Sequence, residues 1–517
     1  MKSLRPILSA LLLCALALMT AGPSARAEEA GEFRPHGLPV LYLTIDGGQA
    51  EIDRMNSSED HAYRCTGSAD LVIPEGCTTL FGPQQSVRGL RIDNIHGRGN
   101  GTWGMPKLPY KIKFADKQDL FGFGANKHWV LLAEYFDNSL IRDWLTFRLA
   151  EKLGLEYTPQ GAFVDVLMNG EYLGCYFLCE HVRVGKARVN VDELTAEVTA
   201  LPAIQGGYLL SMNPTWGEPE EDVLETAREV SFLSETPSFS PAEGGYVNNA
   251  QRDYIRGYLQ RAEDAVFAAD GSWADYLDAT SLADFWWIQE FSANEDGFST
   301  TSNYLFKPRT EADGSEGKLH FGPLWDMDAS WGSAQIETAL ERGFNHSSHI
   351  WLNELCLQPD FTEKLIARWP AVDAELAEIT RPGGTLDQIA AALHDAWYAD
   401  RACWAGSRNG GTDGGRNFEE EIEHIRAWTD LRRAWIGGNL DRIGWLYCSL
   451  TVTGEGVEEE TFPMPLDQWA DLYDLGIPEK EGWRFVGWAL EDGTVVEDFL
   501  FLDRDVVLTA VFEQINP

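Results

Sequence analysis

The chain is poor in basic residues and in cysteine, and the first shortage excludes one class of partner. Its 517 residues contain 41 Lys and Arg against 81 Asp and Glu, which gives a formal net charge of -40. Nucleic-acid binding needs a positive surface that displaces counterions, so we expect no nucleic-acid partner. The 44% hydrophobic and 24% charged content is that of a globular protein. Its length predicts two or more domains.

Long apolar runs are missing except near the N-terminus. The run from Ile7 to Ala21 has about 15 residues, fewer than the roughly 20 that cross a bilayer, so we predict no membrane span. Lys2 and Arg5 precede this run, and small residues end at Ala27, as in a secretory signal peptide. We therefore predict cleavage after residue 27 and a secreted, extracellular protein.

The 8 cysteines permit disulfides without requiring them. Cys65 and Cys77 close a short loop and are the candidate pair. Cys175 and Cys179 lie four residues apart in a predicted strand, about 13 Å from each other, which is too far for a mutual disulfide. We interpret these two as buried thiols.

Strand and helix patterns follow one another along the chain. From Leu38 to about Cys179, apolar runs alternate with glycine-rich turns, which is typical of antiparallel strands, and Asn169-Gly170 suits a hairpin turn. Residues 137–154 interrupt these strands with a helical pattern. Residues 194–246 are rich in Glu, Pro, Ser and Thr and predict a loose insertion. Helical periodicity dominates after this insertion.

A glycine-rich segment precedes a strand that carries two lysines. The segment runs from His96 to Trp103, and its closely spaced glycines let backbone N–H groups approach phosphate oxygens. It lacks the spacing of a phosphate loop or a dinucleotide site, so it also suits an ordinary turn. Lys111 and Lys113 share one face of the following strand, where they either neutralise phosphate charge or form a solvated surface.

Acidic and amide side chains follow the first helices of the second half. Glu295 and Asp296, with Asn303, come before the Asp326-Met-Asp328 sequence. Carboxylate and amide oxygens suit Mg²⁺, which also takes phosphate oxygens. An Asp-x-Asp sequence alone also suits a turn, or the metal–nucleotide-sugar site of a glycosyltransferase. The order of glycine loop, lysine and late acids is that of protein-kinase-like folds.

Several motifs, in the same order, resemble the spore-coat CotH kinase-like family. They are Gly97-Arg-Gly-Asn100 with Thr102-Trp103, Pro109-Tyr-Lys-Ile-Lys-Phe114, Leu120-Phe-Gly122, Trp129-Val-Leu-Leu132, Asp137-Asn-Ser-Leu-Ile-Arg142, Asn169-Gly-Glu-Tyr-Leu-Gly174 and Pro323-Leu-Trp-Asp-Met-Asp328. The similarity extends from about Leu38 to Gly444. It implies an α+β protein with an atypical two-lobed protein-kinase-like fold, and ATP and Mg²⁺ as cofactors.

The resemblance also implies which residues bind the nucleotide. Lys113 or Lys111 would contact the α- and β-phosphates. Backbone groups of the strand end that contains Glu180 and Val182 would bind adenine. The phosphates would be covered by Gly97, Arg98, Gly99, Asn100 and Thr102.

By the same resemblance, Asp296 would be the general base or orient the acceptor hydroxyl. Asn303 and Asp326 would hold Mg²⁺, with Asp328 as a second or alternate ligand.

Some features depart from ordinary kinases. The chain has no His-Arg-Asp or Asp-Phe-Gly sequence, and the spacing from Asp296 to Asn303 is two residues longer than usual. No helix glutamate is an obvious partner for the lysine. Asp137 and Arg142 are polar candidates for ordering its surroundings, and both also suit a surface position.

The last part of the chain resembles a different family. Gly482-Trp-Arg-Phe-Val-Gly-Trp488, followed by the apolar strand Val506–Phe512, is similar to the Listeria–Bacteroides repeat, a small β-rich module of surface proteins. A β-rich tail without a partner is the alternative. The predicted organisation is a signal peptide at 1–27, a CotH kinase-like domain at 28–448 and this module at 449–517. The kinase-like domain would comprise a strand-rich N-lobe at about 38–180 and a helix-rich C-lobe at about 246–448.

These features together predict a secreted atypical kinase, a transferase that uses Mg-ATP to phosphorylate Ser or Thr of an extracellular or envelope protein. One alternative is a non-enzymatic surface adhesin on the same scaffold. Another is ATP-dependent transfer of glutamate or AMP to protein. The C-terminal module would contact the cell wall or cell surface.

Overall fold

The structure is a computed structural model that describes residues 33–59, 62–82, 85–99, 101–212, 217–294, 297, 302–333, 343–344, 349–405, 415–466, 468–496 and 498–515. The predicted signal peptide, Asn100 and Asp296 lie outside the described residues. Residues 33–35 form no helix or strand, and every element below belongs to the unit that begins at His36. Helices and strands both contribute substantially, so the chain has α+β content.

Seven strands close into a barrel in the order β1-β2-β3-β4-β5-β7-β6. They are β1 (Val40–Ile45), β2 (Cys65–Val72), β3 (Val87–Gly97), β4 (Tyr110–Gln118), β5 (Asn126–Leu132), β6 (Gly161–Met168) and β7 (Glu171–Glu180). Neighbours are antiparallel, except that β6 runs parallel to β1 where the barrel closes. On β4, Tyr110 and Ile112 are buried while Lys111 and Lys113 are half-buried. The predicted strand with two lysines on one face is therefore confirmed.

The Asn169-Gly170 turn joins β6 and β7, as predicted. Its two residues have φ angles of 50° and 87°, which suit a two-residue hairpin turn. Asn169 Oδ1 also accepts the backbone N–H of Ile45 at 2.7 Å. The turn residue therefore helps to hold the hairpin against β1.

Two helices accompany the barrel strands, α1 (Gln49–Asn56) and α2 (Arg142–Leu153). The second begins later than the predicted 137–154, because the Asp137 carboxylate accepts the N–H groups of Ser139 and Arg142, both at 2.8 Å, ahead of the first turn. It ends at Gly154, whose φ of 86° is left-handed. Nine of its twelve residues are buried, so α2 is a core helix.

The predicted loose insertion contains three strands, which corrects that expectation. These are β8 (Tyr208–Met212), β9 (Val223–Glu225) and β10 (Ser231–Thr236). They join β11 (Tyr304–Lys307) and β12 (His320–Phe321) in a sheet of order β12-β11-β8-β10-β9. Leu210 and Phe232 are fully buried in it. The strands are short and the residues between them polar, so the composition concealed the sheet.

Among the residues that the structure describes, six further helices follow the inserted strands. They are α3 (Asn249–Ala268), α4 (Ala279–Ser292), α5 (Ile350–Cys356), α6 (Pro359–Thr380), α7 (Thr385–Cys403) and α8 (Phe418–Gly438). Almost every side chain of α4 is buried, including Trp286 and Trp287, as expected of a helix that is apolar all round. No helix among the described residues has both the length and the hydrophobicity to cross a bilayer.

Strands return after residue 446. They are β13 (Tyr447–Gly454), β14 (Val457–Pro465), β15 (Gln468–Asp471), β16 (Trp483–Ala489), β17 (Val495–Val496), β18 (Phe499–Leu502) and β19 (Val506–Gln514). Leu450, Trp488 and Leu508 lie in an apolar cluster separate from the main core. The assignment of this part to the Listeria–Bacteroides repeat stays a prediction.

Cys65 and Cys77 do not form the candidate disulfide. The Cys65 thiol is buried and donates to the carbonyl oxygen of Glu51 at 3.4 Å. Cys175 and Cys179 are buried on β7, as predicted for thiols on a strand.

Candidate functional site

The glycine-rich segment connects β3 to β4 and packs closely on itself. A Cβ at Gly97 would lie 1.8 Å from the Trp103 ring, so that ring fits only against glycine. Gly99 has a φ of 86°, and its missing Cβ leaves room for the Thr102 hydroxyl. The Trp103 indole N–H donates to Ser58 O at 3.1 Å. These glycines therefore have a packing role, whatever they contact in a ligand.

Arg98 extends from this segment towards the acidic part of the site. Its guanidinium carbon lies 5.3 Å from the centre of the Trp325 ring, next in the chain to Asp326. Arg98 is also one of the cations that lower the pKa of Lys111. One side chain thus connects the lysine strand with the late acids.

Lys111, Arg98 and Arg183 form a cationic cluster. The pKa of Lys111 is lowered to about 8, first by burial and then by repulsion from Arg183, Arg98 and Arg64. Among the residues that the structure describes, no carboxylate lies within ion-pair distance of Lys111, Arg98 or Arg183. Glu193 acts on Arg183 and Glu235 on Lys111, but neither forms an ion pair with them, so the three cations indicate a site for an anion.

Two histidines line the same cluster. His128 lies across from Lys113 in the β4–β5 pair, and its ring centre is 6.5 Å from that of His181. Burial, with repulsion from Arg183 and Lys111, lowers the pKa of His128 to about 3. Burial is also the main cause that lowers the pKa of His181, and repulsion from Lys111 is the next. Both imidazoles are therefore neutral near pH 7. Their buried Nδ1 atoms have no hydrogen-bond partner within the described part of the chain.

Lys113 differs from Lys111 in its surroundings. Its side chain is 37% exposed, and Nζ lies 4.0 Å from Asp93 Oδ2. Lys113 therefore has a partner of opposite charge, whereas Lys111 belongs to the cationic cluster.

At the strand end that was predicted to contact adenine, Glu180 already forms hydrogen bonds and an ion pair within the protein. The Glu180 carboxylate pairs with Arg188 and accepts the N–H of Gln160 at 3.0 Å, and burial raises its pKa to about 7. The Glu180 N–H donates to Gln160 O at 2.9 Å. Val182 follows with a buried side chain. The adenine contact stays a prediction.

Asp326 is held in an unusual backbone conformation. Its φ is 63°, in the left-handed region that non-glycine residues rarely adopt. Its Oδ2 accepts the Ser302 hydroxyl at 2.9 Å, and the side chain is exposed. Asp328 is half-buried. Such strained positions cluster at functional sites.

A buried amide network lies beneath Asp326. Asn303 Oδ1 accepts Gln289 Nε2 at 3.1 Å, and Asn294 Nδ2 reaches Gln289 Oε1 at 3.1 Å and Asp326 O at 3.3 Å. Gln289 comes from the core helix α4. The network therefore joins two predicted site residues, Asn303 and Asp326, to a rigid element.

The donor atoms in this part suit Mg²⁺. Asp326, Asp328 and Asn303 offer carboxylate and amide oxygens, and Mg²⁺ is usually bound by one or two carboxylates together with phosphates and water. No group of three His, Cys, Asp or Glu side chains with metal-binding geometry occurs among the described residues. These oxygens are of the type that a metal shared with a nucleotide takes, and of them Asn303 Oδ1 already accepts Gln289 Nε2.

Helix α2 supplies two polar residues that the sequence analysis missed or interpreted differently. Asp143 is buried and accepts the Met327 N–H at 2.7 Å. Its pKa is raised to about 7, first by burial and then by Asp326. Arg142 was a candidate for ordering the lysine, but it pairs with Asp137 and Glu421 and donates to Ser330 O at 2.7 Å. The sequence signal that could have identified these residues is a polar side chain within the otherwise apolar face of helix α2.

The inserted strands add Glu235 and Ser211, which sequence reasoning also missed. The Ser211 hydroxyl donates to Glu235 Oε1 at 2.9 Å. Burial raises the pKa of Glu235, and Lys111 partly offsets this effect. Burial also raises the pKa of Tyr304 on β11, with Glu235 as the next cause. Glu235 thus brings a carboxylate near the cationic cluster without pairing with it.

Comparison with known proteins identifies the family of the chain. The family model described as CotH kinase protein matches residues 95–436, about two thirds of the chain. That range begins at the end of β3 and includes the glycine-rich segment, both lysines, Asn303 and Asp326. No curated protein matches the chain. The chain belongs to the CotH kinase family.

Proposed function

We propose that this protein is an ATP-dependent transferase that phosphorylates Ser or Thr of another protein. One observation carries the proposal: Lys111, Arg98 and Arg183 have no ion-pair partner among the described residues, and Arg98 lies over Trp325, which directly precedes Asp326. A polyphosphate anion complements the cationic cluster, and the metal cation that it carries complements the Asp326 carboxylate. Membership of the CotH kinase family supports a kinase-like activity.

In this proposal the chain's own residues bind and orient the nucleotide. Lys111 and Arg98 contact phosphate oxygens, and the neutral His128 and His181 add N–H or lone-pair partners without further charge. Asp326 and Asn303 hold Mg²⁺, with Asp328 as the additional carboxylate. When bound, Mg²⁺ would neutralise charge on the phosphates.

The proposed transfer is a single displacement. The acceptor hydroxyl oxygen bonds to the γ-phosphorus while the bond from that phosphorus to the β-phosphate oxygen breaks, and ADP leaves. The hydroxyl proton passes to Asp296, the base that the family resemblance implies. We propose an extracellular or envelope protein as the acceptor, because the predicted signal peptide directs the chain out of the cytosol.

The decisive experiment uses the purified chain, ATP and Mg²⁺, with and without glutamate, read by intact mass. We expect a gain of one or more phosphates in the wild type and none in Asp326→Ala. Asp313→Ala is the matched control, because Asp313 is an exposed turn residue on the loop between β11 and β12. It should be labelled like the wild type.

Other masses identify the alternative chemistries. A gain of the mass of AMP would identify AMP transfer instead of phosphorylation. A gain of glutamate units that occurs only when glutamate is present would identify glutamate transfer. No gain in mass and no rise in melting temperature with Mg-ATP would favour the adhesin, because a ligand that binds the native state raises its stability. Labelling that survives Asp326→Ala would refute the site assignment.

A further inference from the structure

We infer that Asp143 of α2 is a positioning residue for Asp326: its carboxylate fixes the backbone at Met327 and thereby sets where the Asp326 side chain stands. This inference rests on the proposed function, because it takes Asp326 as the residue that meets the metal and nucleotide. Asp143 itself need not contact either ligand.

The contact is short and shielded from water. Asp143 Oδ1 accepts the Met327 N–H at 2.7 Å, and Asp143 is 3% exposed. The bonded amide is the one that directly follows Asp326. Because a left-handed φ is unfavourable for aspartate, the φ of 63° at Asp326 persists only if the neighbouring backbone is held. The Asn294 amide on Asp326 O provides a second constraint, at 3.3 Å.

Helix α2 holds the segment from Asp326 to Trp331, here called the Asp326 segment, at two further points. Arg142 Nε donates to Ser330 O at 2.7 Å, and the Trp331 indole N–H donates to Thr146 Oγ1 at 2.7 Å. Trp331 also has a left-handed φ, of 50°. The segment is therefore attached to successive turns of a core helix, so a shift of α2 would move Asp326.

The cost of placing Asp143 here argues against a simple packing role. A buried carboxylate near Asp326 and Asp137 is disfavoured both by desolvation and by like charge, and only hydrogen bonds from Met327 and Glu134 offset this cost. An apolar side chain would avoid both costs, but it could not accept the Met327 N–H. A side chain that accepts this hydrogen bond is what the position requires, and Asn offers the same acceptor oxygen without the charge.

The test compares Asp143→Ala with Asp143→Asn in the full chain. Hydrogen exchange followed by mass spectrometry should show slow exchange at Met327 in the wild type and Asp143→Asn, and fast exchange in Asp143→Ala. Asp143→Ala should also need about tenfold more Mg²⁺ for half of the ATP-induced thermal shift, as is typical when support for a metal ligand is removed. Binding of metal-free ATP, which depends on the cationic cluster, should not change.

Asp284→Asn controls for general effects of neutralising a buried helical carboxylate. Asp284 is buried on α4 and bonds Arg368 Nη2 at 3.1 Å. This variant should keep both the Met327 protection and the Mg²⁺ requirement of the wild type.

Several results would overturn the inference. One is wild-type Mg²⁺ dependence in a folded Asp143→Ala. Another is a raised Mg²⁺ requirement in Asp143→Asn, which would mean that the negative charge of Asp143 acts directly. If Asp143→Ala does not fold, two other results would still contradict the inference. One is rapid exchange of the Met327 amide in the wild type, and the other is loss of Met327 protection or of the wild-type Mg²⁺ requirement in Asp143→Asn. A wild type that binds neither ATP nor Mg-ATP would instead refute the proposed function, while Met327 exchange would still test the hydrogen bond.

Discussion

Single residues of the candidate site are distinguished by the partners they have. Lys113 has Asp93 within 4.0 Å, whereas Lys111 has no ion-pair partner among the described residues, and Arg183, Arg98 and Arg64 affect its pKa more than Glu235 does. The sequence analysis could not choose between the two lysines, because both lie on the same face of β4. Their surroundings favour Lys111 as the residue that meets phosphate.

This difference predicts a pH dependence of nucleotide binding. The pKa of Lys111 is lowered to about 8, so the free site loses its lysine charge as pH rises through 8, while the phosphates titrate at about pH 6. ATP affinity should therefore fall above pH 8, by up to about tenfold per pH unit if one proton is required. Calorimetric titration between pH 7 and about pH 10 measures this.

Two variants make the pH experiment specific. Lys111→Arg stays charged in this range and should flatten the profile, whereas Lys113→Arg should keep the slope of the wild type. The same steep slope in Lys111→Arg would assign the titration to another group.

At the scale of elements, the site depends on contacts between helices. Arg432 of α8 is fully buried and donates to the Glu290 and Phe291 carbonyls at 2.8 and 3.3 Å, in the last turn of α4. It also pairs with the Glu290 carboxylate at 2.8 Å. The last carbonyls of a helix have no partner further along the helix, and here Glu290 O accepts the N–H of Ala293 at 3.3 Å in addition to Arg432. Arg432 therefore fixes the point where the chain leaves α4 for Asn294.

We expect Arg432→Met to lower the free energy of unfolding by about 3–5 kcal/mol, because it leaves the Glu290 carboxylate buried without its cation. Urea denaturation followed by circular dichroism measures the change. Addition of Glu290→Gln removes that charge and should recover part of the loss. A single variant within about 1 kcal/mol of the wild type would show that the ion pair is not needed for stability.

The whole molecule contains two apolar clusters along one chain. The main core ends at Leu446, and a smaller cluster begins at Cys448. Between the two parts, Leu466 N–H donates to Leu446 O at 3.0 Å and Arg442 Nη2 donates to Asp503 O at 3.1 Å. The apolar clusters thus change between residues 446 and 448, and the predicted domain boundary after residue 448 stays a prediction.

A chain that ends at residue 446 should therefore keep the cooperative unfolding of the main core. We expect its melting temperature to change by less than about 4 °C, the shift that about 1 kcal/mol produces in a domain of moderate size. Differential scanning calorimetry of the two chains provides the comparison. Loss of the cooperative transition would mean that the strands after residue 446 belong to the same folding unit.

Local patterns made the elements predictable. The alternation on β4, the Asn169-Gly170 turn and the glycine after α2 each depend on a few neighbouring residues, and the structure has all three. The apolar residues Ile425, Trp428 and Leu431 of α8 have the spacing of one helical stripe, yet Leu431 is 55% exposed. Periodicity indicates a helix face, but the neighbouring helices decide how wide the buried part of that face is.

The sequence by itself determined the strand-rich first part, the helical part after the insertion, the family, and the residue types of the site from Gly97 to Asp328, but not the inserted strands β8 to β10. Only the tertiary structure decided which of these residues meet. Arg183 follows the end of β7 and acts on Lys111 of β4, Glu235 arrives on an inserted strand, and Asp143 reaches Met327 across 184 positions. Helix and turn signals arise from neighbouring residues, whereas these contacts depend on how distant segments pack, which no local pattern encodes.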